Sequence, residues 1–118
     1  MRPSSNIDIP KWALRTLNNL YDIDRKLRIY GDAGNAIRNV EQIKEVFMES
    51  LQLFCEDPSG QKFSETRADL EASIAGIGTE NLVVVEVIKP ILRLGSQAYS
   101  QVVQKGVVIV KSQTKREA

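Results

Sequence analysis

Few residues in this chain have the type and spacing that covalent chemistry needs. Histidine is absent. That removes the one side chain whose unperturbed pKa lies in the physiological range, and with it most general-base, triad and zinc schemes. Cys55 is the single cysteine, so no internal disulfide or cysteine-paired metal site can form. It lies in the run Leu51-Gln52-Leu53-Phe54-Cys55. A reduced, partly covered thiol is expected there, because no imidazole is present to activate it. Asp22 and Asp24 stand two apart on a predicted helix and so point to different faces, which does not make a carboxylate pair. Gly31-Asp32-Ala33-Gly34 is too short and too acidic to cradle a phosphate. These residues argue for a binding protein and against an enzyme, and no cofactor or metal is expected.

The elements that carry the remaining residues divide at a change of period between Ile74 and Leu82. Before it, apolar residues recur every three or four positions, as on a helix face. After it, Leu82-Val83-Val84-Val85-Glu86-Val87-Ile88 and Gly106-Val107-Val108-Ile109-Val110-Lys111 read as short strands. Gly76, Gly78 and Asn81 mark the switch.

With 118 residues, 42% apolar and 26% charged, the chain is long enough for one compact domain, or two small modules sharing a core. Sixteen basic and fifteen acidic side chains leave a net charge of +1. Such a balance gives no long-range field to attract nucleic acid or anionic lipid. Lys111 and Lys115-Arg116 read as a solvated tail. No stretch approaches the ~20 apolar residues of a membrane helix and no signal peptide is read, so a cytoplasmic protein is expected.

Along the chain, residues 1–9 read as a flexible leader, with Asp8 and Pro10 as a helix start. Residues 10–56 read as a helical hairpin. Ala13, Leu20, Ile23, Leu27 and Tyr30 form the stripe of its first helix, widened by Leu14 and Leu17. Ile37, Val40, Ile43, Phe47, Leu51 and Phe54 form that of the second, which starts at Asn35 or at an Asn39/Gln42 capping box. The turn Gly31-Asp32-Ala33-Gly34-Asn35 makes the helices antiparallel neighbours. Residues 57–80 read as a turn and a short linking helix over 65–75. Residues 81–111 read as a small β module burying Val83, Val85, Val87, Val108 and Val110 on one face, and 112–118 as a tail. Both helical stripes exceed one seam, and a second copy of the hairpin would cover the surplus. The fold class expected is therefore α+β: a helical hairpin forming a dimeric four-helix bundle, followed by a small all-β module. Leu20, Ile23, Leu27, Val40, Ile43, Phe47 and Leu51 are the expected dimer interface.

Several short motifs resemble those of the GrpE family, the nucleotide exchange factors of the DnaK chaperone. Leu20-Tyr21-Asp22-Ile23-Asp24-Arg25-Lys26-Leu27 is similar to a leucine-x-x-leucine-acid-arginine-x-leucine pattern near the start of the family's bundle. Val40-Glu41-Gln42-Ile43 with Phe47 and Leu51 resembles the next bundle helix. Gly60-Gln61-Lys62-Phe63 with Leu70-Glu71-Ala72 resembles an altered glycine-x-x-phenylalanine-aspartate-proline … histidine-glutamate-alanine signature. Val85-Glu86-Val87-Ile88, Arg93-Leu94-Gly95 and Gln104-Lys105-Gly106-Val107-Val108-Ile109-Val110 are similar to the strands and turn of the family's β wing. Departures accompany the match. Phe63-Ser64-Glu65 lacks the aspartate-proline pair, and Leu70 replaces the histidine. Pro90-Ile91 stands where glycine-tyrosine is usual, and Gln97 and Gln104 stand where the family places wing arginines. Extra residues lie between Gly95 and Gly106, and of the family's long paired helix before the bundle nothing is read here apart from the Trp12 region.

The resemblance implies a truncated, divergent member. It would be a homodimer whose wing binds the ATPase (nucleotide-binding) domain of a DnaK-type chaperone and promotes ADP release, with no nucleic acid or membrane involved. On the wing it implies partner contacts from Glu86, Lys89, Arg93, Gln97, Tyr99 and Lys105; Asp24 and Arg25 are a further place to look on the bundle. Burial is expected for Trp12. The alternative keeps the fold and loses exchange: a dimeric adaptor with a re-surfaced wing.

Overall fold

A computed structural model describes residues 9–96 and 98–113. The expected leader up to residue 8 (Asp8 included), Gln97, and the tail from residue 114 lie outside the described residues. The fold is α+β, with two helices followed by two three-stranded sheets. The chain divides into two compact units, Met1–Glu45 and Val46–Ala118.

In the first unit, helix α1 (Lys11–Tyr30) begins directly after Pro10. The fixed φ of proline suits the N-cap position, and no side chain caps this end. Gly31 stops the helix at φ +113, its N–H donating to the Leu27 carbonyl at 2.9 Å. Helix α2 (Ala36–Leu51) is started by Asp32, whose carboxylate accepts from the backbone N–H groups of Ala36 and Ile37 at 2.5 and 3.0 Å. Neither Asn35 nor Asn39 is needed as a cap. The two helices run side by side and antiparallel, joined by Lys44 donating to Asp24 at 3.1 Å and by Arg28 reaching Glu41 at 3.3 Å.

The buried stripe of α1 is Ala13, Leu17, Leu20, Tyr21 and Asp24. It is rotated from the expected one, and an aspartate sits where Ile23 was expected. Ile23 is 45% exposed, and Trp12 and Tyr30 are exposed as well, so the expected burial of Trp12 is corrected. Ile43 of α2 is 44% exposed. Each isoleucine immediately precedes a member of the bonded Asp24–Lys44 pair. Stepping back ~100° on two antiparallel helices leads to the same side, so Ile23 and Ile43 share one face of the hairpin.

In the second unit, α2 ends at Leu51, and Gln52 at φ +55 turns the chain into strand β1 (Leu53–Glu56). Leu53, Phe54 and Cys55 are therefore strand residues, where the sequence pattern continued the helix. Strand β2 (Leu70–Ala75) occupies most of the segment expected to be a linking helix. Local propensity is overridden by a partner: β2 lies parallel to β6 (Gly106–Ser112), with Leu70 opposite Gly106 and Ala75 opposite Lys111.

Strands β3 (Leu82–Lys89), β4 (Ile91–Gly95), β5 (Ser100–Gln104) and β6 form one long hairpin bent in the middle. Only Pro90 separates β3 from β4, and only Lys105 separates β5 from β6. At this bend the hairpin changes sheets. One half adds β1 to give the order β1-β4-β5, and the other adds β2 to give β2-β6-β3. Proline suits the bend because it has no N–H to leave unpaired, and Gln104 donates to the Pro90 carbonyl at 3.0 Å. Gly106 is required where the sheets meet, since a Cβ there would stand 2.9 Å from both Ile91 and Leu70 side-chain carbons. The core comprises Leu53, Leu70, Val84, Val87, Ile91, Leu92, Val108 and Val110.

Candidate functional site: the outer face and tip of the β module

Strict alternation along β3 would bury Val83, Val85 and Val87. The register is instead broken twice. Val84 faces Val110 while Glu86 faces Ile109, and Val87 faces Val108 while Lys89 faces Val107. One extra residue is inserted on β3 at each break, a β-bulge that puts two consecutive side chains on one side of the sheet. The burial period becomes three. Val84 and Val87 are buried, whereas Val85 is 49% and Ile88 52% exposed. The expected core face is thus corrected, with Val84 in and Val85 out. Glu86 and Lys89 are exposed as expected, and they emerge beside Val85 and Ile88. The half-buried Val107 and Ile109 of β6 complete this outer face, opposite the buried Val108 and Val110.

Arg93, expected to be free for a partner, is committed elsewhere. Its guanidinium donates to Glu56 at 2.6 Å and to Asp69 at 3.2 Å. Asp69 is also held by Arg67 through two bonds of 3.0 and 2.9 Å. Arg67 continues to the Gln61 side chain and the Lys62 carbonyl at 3.0 and 3.2 Å. This cluster ties β1 and β4 of one sheet to the residue preceding β2 of the other. The bonds from Arg67 hold the Asp69 carboxyl below its ordinary 3.8; partial burial opposes them and the nearby Arg93 charge assists. Arg67 is raised in turn by the same carboxylate.

The tip of the long hairpin is the turn from Ser96 to Tyr99. The Ser96 N–H donates to the Tyr99 carbonyl at 2.9 Å, and the Tyr99 N–H donates to the Ser96 hydroxyl at 3.0 Å. Gly95 adopts φ +130, and a Cβ on it would collide with the Tyr99 carbonyl oxygen, so only glycine fits. The turn leaves Tyr99 85% exposed beside a shallow hollow of about 360 Å³ lined by Leu94, Ala98, Tyr99, Ser100 and Gln101. Lys105 is exposed at the bend. The expected partner-binding set is therefore spread over three places: Glu86 and Lys89 on the outer face, Tyr99 at the tip, Lys105 at the bend. The exposure of Val85 and Ile88 was not legible in the sequence, because a bulge leaves no mark in a run of mostly aliphatic residues.

Among the expected dimer-interface residues, Leu20, Val40 and Phe47 are buried, and Leu27 and Leu51 are half-buried. Ile23 and Ile43 alone of the seven are exposed. Asp24 is buried and bonded to Arg28 and Lys44, which removes it from partner contact. Burial pushes its carboxyl up, but hydrogen bonds and charge from Arg28 and Lys44 outweigh this and leave it below the ordinary value. Arg25 lies over the Tyr21 ring, 6.0 Å from its centroid, and pairs with Asp22 at 3.3 Å. Among the described residues no helix is long and apolar enough to cross a membrane. Comparison with protein-family models, with curated proteins and with solved structures finds no match.

Proposed function

We propose that this chain is a GrpE-like co-chaperone: a cytoplasmic homodimer whose β module binds the nucleotide-binding domain of a DnaK-type chaperone and promotes ADP release. The observation that carries this reading is the order of parts, a two-helix hairpin with an unfinished apolar face followed by a six-stranded, two-sheet module. The ordered series of partial GrpE-like motifs supports it. In this reading Ile23 and Ile43 meet a second copy of the hairpin across a two-fold axis and close a four-helix bundle.

Exchange then needs no catalytic residue. A partner that binds the open nucleotide-binding domain better than the closed one shifts its equilibrium toward opening. By linkage, ADP affinity falls by the same factor. Glu86, Lys89, Tyr99 and Lys105 are the exposed side chains available for that contact.

A second reading, a dimeric adaptor that has lost exchange, is favoured by one observation. Arg93 is consumed by Glu56 and Asp69, and glutamines occupy two positions that are arginine in the family. The module therefore offers fewer forked guanidinium contacts. Release of a fluorescent ADP analogue from a DnaK-type chaperone separates the two. Acceleration that saturates with added protein is expected. No acceleration at saturating protein would leave the adaptor.

A further inference from the structure

The two margins of the second sheet are finished differently. At the β3 margin residues 60–63 already pair: the Gly60 N–H donates to the Val84 carbonyl at 3.0 Å, the Val84 N–H to the Gln61 carbonyl at 2.9 Å and the Phe63 N–H to the Leu82 carbonyl at 2.9 Å. At the opposite margin, β2 has β6 alone as a strand partner among the described residues. Its register runs residue for residue from Leu70 to Ala75, without a bulge, and it carries no proline and one charge, Glu71. Bulges, prolines and several charges are what blunt an open edge, and β2 has only that glutamate.

Which backbone groups are left over follows from one bond. The Gly106 N–H donates to the Asp69 carbonyl at 2.9 Å. In a parallel ladder alternate residues turn both N–H and C=O to the same neighbour, so Glu71, Ser73 and Ala75 turn theirs to β6. Ala72 and Ile74 turn theirs outward, where no described residue bonds them. The side chains agree. Ile74 shares the inner face of the sheet with its register neighbour Val110, yet Ile74 is 48% exposed and Val110 is fully buried. The core runs out at β2, with an aliphatic side chain and unpaired amides at its margin.

An extended backbone is the partner that bonds such groups in kind. Glu71 lies on the other face of the strand, and the module's ion pairs, which hold Arg67, Asp69, Arg93 and Glu56, leave it out. We propose that the outer edge of β2 receives an extended segment of another polypeptide, which adds antiparallel as a further strand. Its aliphatic side chains cover Ile74 on the inner face, and a cation meets Glu71 on the outer one. Such pairing does not depend on whether the chain promotes ADP release.

The test is fluorescence anisotropy of a labelled peptide of about eight alternating lysines and valines, titrated with the full-length chain. Binding is expected, and Ala72→Pro should weaken it about tenfold or more, because proline removes an outward N–H. That substitution should leave the thermal unfolding midpoint nearly unchanged, whereas Ser73→Pro, which removes an N–H given to β6, should lower it. The same peptide N-methylated at alternate backbone amides keeps its side chains and should not bind; this arm decides should Ala72→Pro fail to fold. No binding by the unsubstituted chain, equal affinity of a folded Ala72→Pro variant, or equal binding of the N-methylated peptide would each overturn the proposal. A folded Ala72→Pro variant that scatters at a lower mass, with no peptide bound by the unsubstituted chain, would overturn it too and give the edge to a second copy.

Discussion

In the helical hairpin and in the β module alike, a single aspartate is shared by two cations, but the surroundings differ. Asp24 is buried in the seam between α1 and α2, where Lys44 and Arg28 reach it. Asp69 lies in the turn leading into β2, and with Arg67, Arg93 and Glu56 it ties one sheet to the other. The hairpin buries Asp24 with its ion pairs among Ala13, Leu17, Leu20 and Tyr21 and leaves Ile23 and Ile43 outside. The β module instead closes aliphatic side chains from both sheets around Gly106 and keeps its charges at the margin. Two antiparallel helices cover only one side of each other, whereas two sheets joined by a bent hairpin can enclose a core unaided. One region encloses its own core, and the other leaves Ile23 and Ile43 on an open face.

The sharpest contrast can be drawn inside the β module. Leu92→Ala, at a fully buried position, should cost about 2–5 kcal/mol in chemical denaturation. Val85→Ala, on the outer face, should stay within about 0.5 kcal/mol. Equal costs would mean that the bulges are misplaced. Next in size, Asp69→Ala leaves Arg67 and Arg93 facing each other without their shared carboxylate, for about 1–3 kcal/mol. Asp24→Ala should cost less, about 1 kcal/mol, because its partner Arg28 is largely solvated. At the tip, Gly95→Ala should cost more than about 1 kcal/mol, since it meets both a positive φ and the Tyr99 carbonyl.

The smallest effect is on pH. Both aspartates titrate below 3.8 in the folded chain, so the unfolded chain binds protons first as acid is added. Their contribution is complete at neutral pH, starts to fall near the ordinary carboxylate value, and is gone below the folded values. The acid side of the stability profile should flatten in D24N/D69N. An unchanged profile would show that neither pair contributes.

Much of this arrangement was legible in the residues, and the exceptions have physical causes. The period of α1 and the turn at Gly31 were readable, yet the stripe is rotated and Asp24 meets Lys44 across the seam and Arg28 on its own helix. Residues 65–75 read as a short helix, but Arg67 binds Asp69 and β6 offers a strand partner. The second of these is not local. The valines of β3 read as simple alternation, and nothing in an aliphatic run reports that an extra residue has been inserted. Arg93 looked free because its partners, Glu56 and Asp69, are distant in sequence. Of the surface residues singled out, Glu86, Lys89, Tyr99 and Lys105 are exposed, and the face that joins the first two to Val85 and Ile88 became visible only with the register.

That the hairpin is completed by a second copy of itself is tested most directly by light scattering on the full-length chain at micromolar concentration. A mass twice the 13.2 kDa of one chain is expected, falling to 13.2 kDa in I23D/I43D while the β-sheet signal in circular dichroism persists. A folded, unsubstituted chain that scatters as a monomer would contradict the pairing.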